Sequence, residues 1–390
     1  MKKNTAILGA AFLMATSAIG PAFLNNTAKF TAQLTTSFGF IILVSILLDV
    51  GAQLNIWRII AVGEKRAQDL ANDVFPGLGY LLAAMVAFGG LAFNIGNIRG
   101  CGLGIEVMTG LDDRWGALIS CGIALFIFWV KEAGRAIDWF VRILGLAMIG
   151  LTAYVMFASH PPFGQAIRQS FWPERTDTSM IVALVGGTVG GYISFAGAHR
   201  LLDAQVKGIG MLGRVNRSAV TGILITGTMR YVLFLAALGV VWQGAQLGDK
   251  NPAASVFRIA AGELGNRFFG LVMWAAAITS VIGASFTSIS FLKTFHSSWE
   301  RRERWLITIF ILISTLVALL LPQTPSYILV AAGILNGFIL PVALAIMLLA
   351  VLSKRHFPGY RHPVFLQVVG WTVVLIMSWL SLQTIRELIP

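Results

Sequence analysis

Apolar runs of about twenty residues follow one another along nearly the whole 390-residue chain, and no other feature constrains its fold as strongly. A helix needs about 20 mostly apolar residues to cross a bilayer. Inside hydrocarbon, every backbone N–H and C=O must find its partner within the protein, which leaves helices as the natural reading of such runs. Eleven spans can be drawn, near 5–35, 37–58, 78–108, 115–130, 136–158, 179–198, 218–243, 266–292, 305–321, 326–352 and 364–384. The loops between them are too short for a soluble domain, so residues 1–390 read as one all-α integral membrane domain.

Composition enters where it excludes classes. Only 12% of residues are charged, against about a quarter in soluble domains. That removes a soluble enzyme, a disordered chain and a nucleic-acid-binding module. The formal net charge of +12 then needs another account, and the placement of the basic residues supplies it. With the N-terminus inside, eighteen Lys and Arg fall in inner segments and seven in outer ones. This bias predicts a cytoplasmic N-terminus and, after eleven crossings, an extracytoplasmic C-terminus in the cell membrane. The opening stretch MKKNTAILGAAFLMATSA has the basic start, apolar run and small-residue pattern of a signal peptide. Cleavage after Ala18 would spoil the charge balance, so it is read as the beginning of the first span.

Two of the spans are interrupted. Gly20-Pro21 stands in the middle of the first, and Asn25-Asn26-Thr27 follows. Proline removes a backbone donor and disfavours a helical conformation in the residue before it. Five glycines fall between Gly186 and Gly197 in the sixth span, each weakening a helix by about 1 kcal/mol relative to Ala. Glycine also serves close helix packing, and both readings stand for this segment. The interruptions open two sets of five spans, roughly 4–158 and 179–352, with 364–384 as an additional helix. An odd number makes the second set enter from the opposite side. Inverted halves that each open with a broken helix point to a secondary transporter with its site at the midplane.

Four stretches carry a family resemblance: QLNIWRIIAVG from Gln53, PPFGQAIRQSFWP from Pro161 to Pro173, LVGGTVGGYISFAG from Leu184 to Gly197, and LNGFILP from Leu335 to Pro341. In these the chain resembles the natural resistance-associated macrophage protein (Nramp) family of divalent-metal transporters. The resemblance implies a LeuT-type fold with inverted five-helix repeats and helices 1 and 6 broken. It also exposes departures at the site, which mark a divergent member. The family's first-span DPGN becomes Gly20, Pro21, Ala22 and Phe23, without its Asp and Asn ligands. The sixth-span Met-Pro-His becomes Gly190, Gly191 and Tyr192. The third-span acidic pair becomes Asn94 and Asn97, and a second histidine becomes Gly197.

Transition metals want imidazole, thiolate, thioether or carboxylate ligands, and Mg²⁺ or Ca²⁺ wants oxygens with a carboxylate among them. The segment offers Asn25, Asn26, Thr188 and Ser194 as neutral oxygens only. The histidines His160, His199, His296, His356 and His362 fall at span ends or in loops without a metal-binding spacing. Cys101 and Cys121 read as packing residues. No resident metal or organic cofactor is expected. No nucleophile motif is present either, so a membrane enzyme is not expected.

Ionisable residues at membrane depth are functional candidates. Arg230 is central in the seventh span. It reads either as the counter-charge of a substrate carboxylate or as the structural partner of Asp49 in the second. Arg99 and Glu106 share one face of the third span, and Asp138 with Arg142 forms an i,i+4 pair in the fifth. Thr279 and Ser280 head a hydroxyl-rich eighth span, where coupling by Na⁺ is one reading and helix packing the other. Coupling by H⁺ also stays open. The tryptophans Trp57, Trp115, Trp129, Trp139, Trp172, Trp242 and Trp305 read as interfacial anchors.

The expected substrate-binding set is Gly20, Pro21, Ala22, Phe23, Asn25, Asn26, Gly190, Gly191, Tyr192, Ser194 and Arg230. The expected ion pathway is Asp49, Asn94, Asn97, Arg99, Thr279 and Ser280. A small organic carboxylate or amino-acid-like solute suits these residues better than a metal. A divalent metal ion, Mg²⁺ or Mn²⁺, is the alternative that the resemblance implies.

Overall fold

A computed structural model describes residues 19–353 and 357–388, apart from the side chains of 131–142, 297–298 and 388. Among the described residues there are fourteen α-helices and no strand. In chain order they are α1 Pro21–Leu34, α2 Phe38–Gly63, α3 Ala67–Val74, α4 Leu78–Thr109, α5 Asp113–Trp129, α6 Lys131–Ala158 and α7 Phe163–Phe171. Then come α8 Thr178–Thr188, α9 Tyr192–Asp203, α10 Leu212–Trp242, α11 Pro252–Leu292, α12 Glu303–Leu320, α13 Pro325–Ala350 and α14 Val364–Leu388.

The chemistry of the helix ends is local. Pro21 opens α1 at a position whose N–H would have no helical partner in any case. The Asp177 carboxylate caps α8 by accepting from the Met180 N–H. Thr324 caps α13 through the Tyr327 N–H. Hydroxyls buried within helices bond back to carbonyls four residues earlier, as Thr27 does to Phe23 at 2.7 Å and Thr31 to Thr27 at 2.6 Å. That satisfies them without a partner from another helix.

Burial separates the centre from the periphery. The apolar window of the α8–α9 span is 94% buried and that of α12 only 33%. Leu47, Phe157, Leu264, Leu316 and Leu375 are exposed on the outside, as expected of a protein whose outer surface meets lipid. Inside, α8 and α13 touch backbone to backbone. A Cβ on Gly186 would overlap the Gly333 carbonyl, and one on Gly333 would stand 2.7 Å from the Ala183 carbonyl. The packing reading therefore holds for Gly186. The glycines that follow this helix admit the same close approach, and Gly191 also takes the left-handed conformation at the break.

At one end of the bundle α3 lies across the helix termini and is held there. Arg66 donates to Ser290 Oγ at 2.8 Å and to Asp203 at 3.3 Å, while the Ala67 N–H donates to His199 Nε2 at 3.1 Å. Beside it, Arg58 Nε donates to the Tyr360 hydroxyl at 2.6 Å. Tyr360 meets His362 Nδ1 at 3.0 Å, and His362 Nε2 meets Asn55 Oδ1 at 2.8 Å. This chain of bonds fastens the loop before α14 to α2.

Several expectations change in detail. Eight stretches among the described residues are long and apolar enough to span a bilayer, or nine counting the bent pair Ile143–Ala158 and Phe163–Phe171. Eleven were drawn from the sequence. The difference arises because α1 runs into α2 through a single turn at Thr35–Ser37, and α5 is only 17 residues long. The segment after Pro161 is not a loop: it forms α7, turned by 107° from the end of α6. The helix that holds the eighth span starts at Pro252 but is broken at Gly262, and its part beyond the break, ending at Leu292, covers the expected 266–292. Trp57 is no interfacial anchor. It is 1% exposed, donates to the Ser194 carbonyl at 2.9 Å and packs where a Cβ on Gly197 would sit. Trp115, Trp129, Trp172, Trp242 and Trp305 are exposed as anchors should be. The first half of span one and the Ala15/Ala18 pattern lie outside the described residues, as do the side chains of Asp138, Arg142 and Trp139.

Candidate substrate site at the helix breaks

The sixth span stops being helical at Val189 and resumes at Tyr192. Gly191 has φ +51°, a left-handed conformation in which side chains are strained. A Cβ there would also overlap Asn336 Oδ1. Gly190 is pressed against backbone, 2.6 Å from the Asn336 carbonyl to an added Cβ, so a methionine ligand cannot be restored at this position without moving α13. Ser194 holds the break together by donating to the Val189 carbonyl at 2.8 Å. The glycines thus admit the close approach of α13, and Asn336 fills the space. Asn336 donates to the Gly89 and Ala332 carbonyls at 3.0 and 2.9 Å, while its Oδ1 has no partner. The LNGFILP motif alone does not show this role. The available signal was an amide inside an otherwise apolar span.

Four of the expected residues meet around the start of α1. An added Cβ on Gly20 would lie 3.4 Å from Ser280 Oγ and 3.8 Å from Asn97 Oδ1. Tyr192, from the other break, packs edge-on at 5.7 Å against Phe93, about one turn before Asn97 on α4. Ser280 Oγ and Asn97 Nδ2 are buried without a protein partner. Further along α1, Asn25 donates to Ser326 Oγ at 3.0 Å, and the Oδ1 atoms of Asn25 and Asn26 are unpartnered. Ala22 is buried beside them.

Phe23, one turn into α1, carries the charge of the site on its ring. The Arg230 guanidinium carbon stands 4.4 Å from the ring centroid, a cation–π contact. Arg230 is 4% exposed, donates from Nη1 to Thr188 Oγ1 at 3.0 Å and has no partner for Nε. Asp49 is 1% exposed, and its Oδ1 has no hydrogen-bond partner. Among the described residues Arg230 forms no ion pair within 4.0 Å. Asp49 and Arg230 are therefore not a contact ion pair, as the structural-partner reading would have it.

Other expected pathway residues lie elsewhere. Asn94 donates to Ser285 Oγ at 3.1 Å and Ser314 Oγ at 3.0 Å, tying α4 to α11 and α12. Thr279 bonds back to Ala275 and Ala276 of its own helix. Arg99 joins a group near the opposite end from α3: it pairs with Asp113 at 3.1 Å, and Lys250 bridges Asp113 at 2.8 Å and Glu106 at 2.7 Å. Asp113 was missed because it looked like a loop residue, yet it is 4% exposed. Burial works to lower the Lys250 pKa, but hydrogen bonds from its ammonium to Asp113 and Glu106 outweigh it and hold the pKa above its usual value. Lys250 and Glu106 border a vestibule of about 450 Å³ that also reaches Arg258, Asn266 and Arg267.

No three His, Cys, Asp or Glu side chains gather as a metal-binding group among the described residues. The donors at the breaks are neutral amides, hydroxyls and carbonyls, joined by one guanidinium and one carboxylate.

The sequence profile described as natural resistance-associated macrophage protein-like matches residues 11–387. The chain is 56% identical to an uncharacterized membrane protein of Haemophilus influenzae, over 98% of this chain and 96% of that one. It is 54% identical to the uncharacterized membrane protein YcsG of Bacillus subtilis, over 98% and 95%. Identity to the divalent metal cation transporter MntH of Deinococcus radiodurans is 21%, over 80% and 72%. Among solved structures, the manganese transporter of Eremococcus coleocola superposes with a TM-score of 0.76 at 15% identity, covering 98% of this chain and 86% of that one. MhsT in complex with L-phenylalanine superposes with a TM-score of 0.65 at 13% identity, covering 98% of both. At these identities the structures speak for the fold, which is of the LeuT type.

Proposed function

This chain belongs to the natural resistance-associated macrophage protein-like family of membrane transporters, and from that premise we propose a secondary-active carrier whose substrate is a small organic carboxylate or amino-acid-like solute. One observation carries the reading. The Arg230 guanidinium sits on Phe23 in the first turn of α1, buried and without an ion-pair partner within 4.0 Å. A helix N-terminus carries about +0.5 charge, so two positive features converge there. A metal cation would be repelled by them, whereas a carboxylate gains from both. Ser280 and Asn97 stand at Gly20 and offer polar contacts to the rest of the solute.

The proposed carrier works by alternating access between the vestibule beside Lys250 and the α3 end. It stands in the cell membrane with its N-terminus inside and C-terminus outside, as the distribution of Lys and Arg supports. Uptake is coupled to a cation, Na⁺ or H⁺. The family and fold neighbours named above are transporters, and this carrier likewise has no catalytic task.

A divalent metal ion is the second reading. It is favoured by family membership and by the names of the Deinococcus and Eremococcus relatives. The residues at the breaks oppose it, because Gly20, Phe23, Gly190 and Tyr192 stand where the family resemblance places the ligands.

A thermal-shift screen of the purified protein against Mn²⁺, Mg²⁺, amino acids and organic acids separates the two. A ligand that binds only the folded state raises its melting temperature, by about 2.7 kcal/mol of stabilisation at a hundredfold excess over Kd. Carboxylates are expected to do so and to lose the effect in Arg230→Gln. Saturable Mn²⁺ binding in calorimetry would overturn the carboxylate reading.

A further inference from the structure

Arg230 is not the only ionisable group buried here. Asp49, 1% exposed, has no hydrogen-bond partner for Oδ1 and makes no ion pair within 4.0 Å among the described residues. The Thr188 hydroxyl donates to the Leu184 carbonyl at 2.9 Å and accepts from Arg230 Nη1 at 3.0 Å. A hydroxyl has one proton to give, so Thr188 has none left for a carboxylate. A buried carboxylate with neither a donor on that oxygen nor a counter-ion in contact is costly, and taking up a proton removes its charge. The carboxyl is then either an ionised group at that cost or a neutral acid.

The two states differ in the charge left over. Ionised Asp49 with Arg230 sums to zero, so an incoming carboxylate would leave a buried net charge of −1. Neutral Asp49 leaves +1, which a carboxylate cancels. Unbalanced charge in a low-dielectric interior is expensive. Of the elements packed on α2, α10 carries Arg230, whose charge acts on this carboxyl, and no side chain forms an ion pair with Asp49 within 4.0 Å among the described residues. We propose that Asp49 is the proton-binding site of this carrier, and that its protonation frees Arg230 to hold the substrate carboxylate. The second half rests on the carboxylate reading above. Proton and anion then bind with positive coupling, each raising the affinity for the other by the same factor.

Infrared spectroscopy of the full-length protein in lipid vesicles tests this without a known substrate. The expected result is a carboxylic-acid C=O band that titrates with pH and is missing in Asp49→Asn. In Arg230→Gln the midpoint should move to higher pH by about one to three units, the size of the shift a nearby opposite charge causes. Asp49→Glu, which moves the band without deleting it, makes the assignment should Asp49→Asn not fold. A carboxyl ionised throughout the titration, or a midpoint unchanged in Arg230→Gln, overturns the proposal. The same preparations are then given acetate, pyruvate and L-alanine as thermal-shift probes. A titrating band with no carboxylate bound overturns the release of Arg230 to substrate and leaves the proton site standing. Carboxylate binding without a titrating band overturns both halves of the proposal and leaves only the carboxylate reading standing.

Discussion

The helix breaks and the Arg58–Asn55 chain beside α3 are both polar, yet they treat their polar groups differently. Arg58, Tyr360, His362 and Asn55 are linked by bonds of 2.6–3.0 Å, while nearby only Gln68 Oε1 and His199 Nδ1 among the groups holding α3 lack a partner. At the breaks, Asn97 Nδ2, Ser280 Oγ, Asn336 Oδ1, Asn26 Oδ1 and Arg230 Nε are buried with no protein partner. A buried polar group without a partner costs about 1–3 kcal/mol. A protein retains several of these in one place when they serve something other than the resting fold. Saturated groups hold the helices together; unsaturated ones are available to a solute. The contrast is tested by changing each region and reading stability and transport separately.

The largest effect is expected at Arg230. Arg230→Gln should lower uptake at least a hundredfold, about 3 kcal/mol of lost interaction, while expression and melting temperature stay close to the parent, because Asp49 can take a proton. Were Arg230 a structural partner instead, the change would leave Asp49 uncompensated and cost about 3–5 kcal/mol. The double variant Asp49→Asn with Arg230→Gln sharpens this. Stability recovered together with transport would favour the structural role; a stable protein without transport keeps Arg230 with the substrate.

Gly191→Ala should come next. Its φ of +51° and the contact with Asn336 predict a destabilisation of about 1–3 kcal/mol, seen as a lower melting temperature. A melting temperature equal to the parent's would mean that the break tolerates a side chain, and the account of this glycine would fail.

His362 offers a pH test at the saturated end. Burial, and then the charge of Arg58, lower its pKa from 6.5 to about 4. Between those values the unfolded chain binds a proton that the folded protein does not, so stability should fall as pH drops from 6.5 towards 4. His362→Ala should reduce stability at pH 7 by about 1–3 kcal/mol and remove its share of that pH dependence. Substrate affinity should not change; a large change in Kd would join the two regions that the comparison separates.

The smallest effect belongs to Lys65. Its bridge to Asp73 spans 2.7 Å, but the side chain is 48% exposed. Lys65→Ala should cost no more than about 1 kcal/mol, less at high salt. A larger loss in a denaturation series would show that α3 depends on this pair and not on Arg66 and His199.

The sequence by itself determined that this is a helical membrane protein, where it is interrupted, and which ligand types are absent. Those are local properties: segment length against bilayer thickness, proline and glycine against helix continuity, side-chain chemistry against a metal's needs. It did not reveal that Asn336 fills the gap left by Gly191 or that Trp57 is buried on Gly197. Nor did it reveal that Asp113 anchors Arg99, or that Asp49 and Arg230 are both buried without forming a contact ion pair. Each depends on which helices touch and in what register, across separations as long as the 181 positions between Asp49 and Arg230. Between apolar helices in a bilayer, hydrophobicity gives little preference for one neighbour over another. Small residues that admit close backbone approach make that choice, together with the few polar atoms that must be paired, and only the assembled bundle shows which pairs were made.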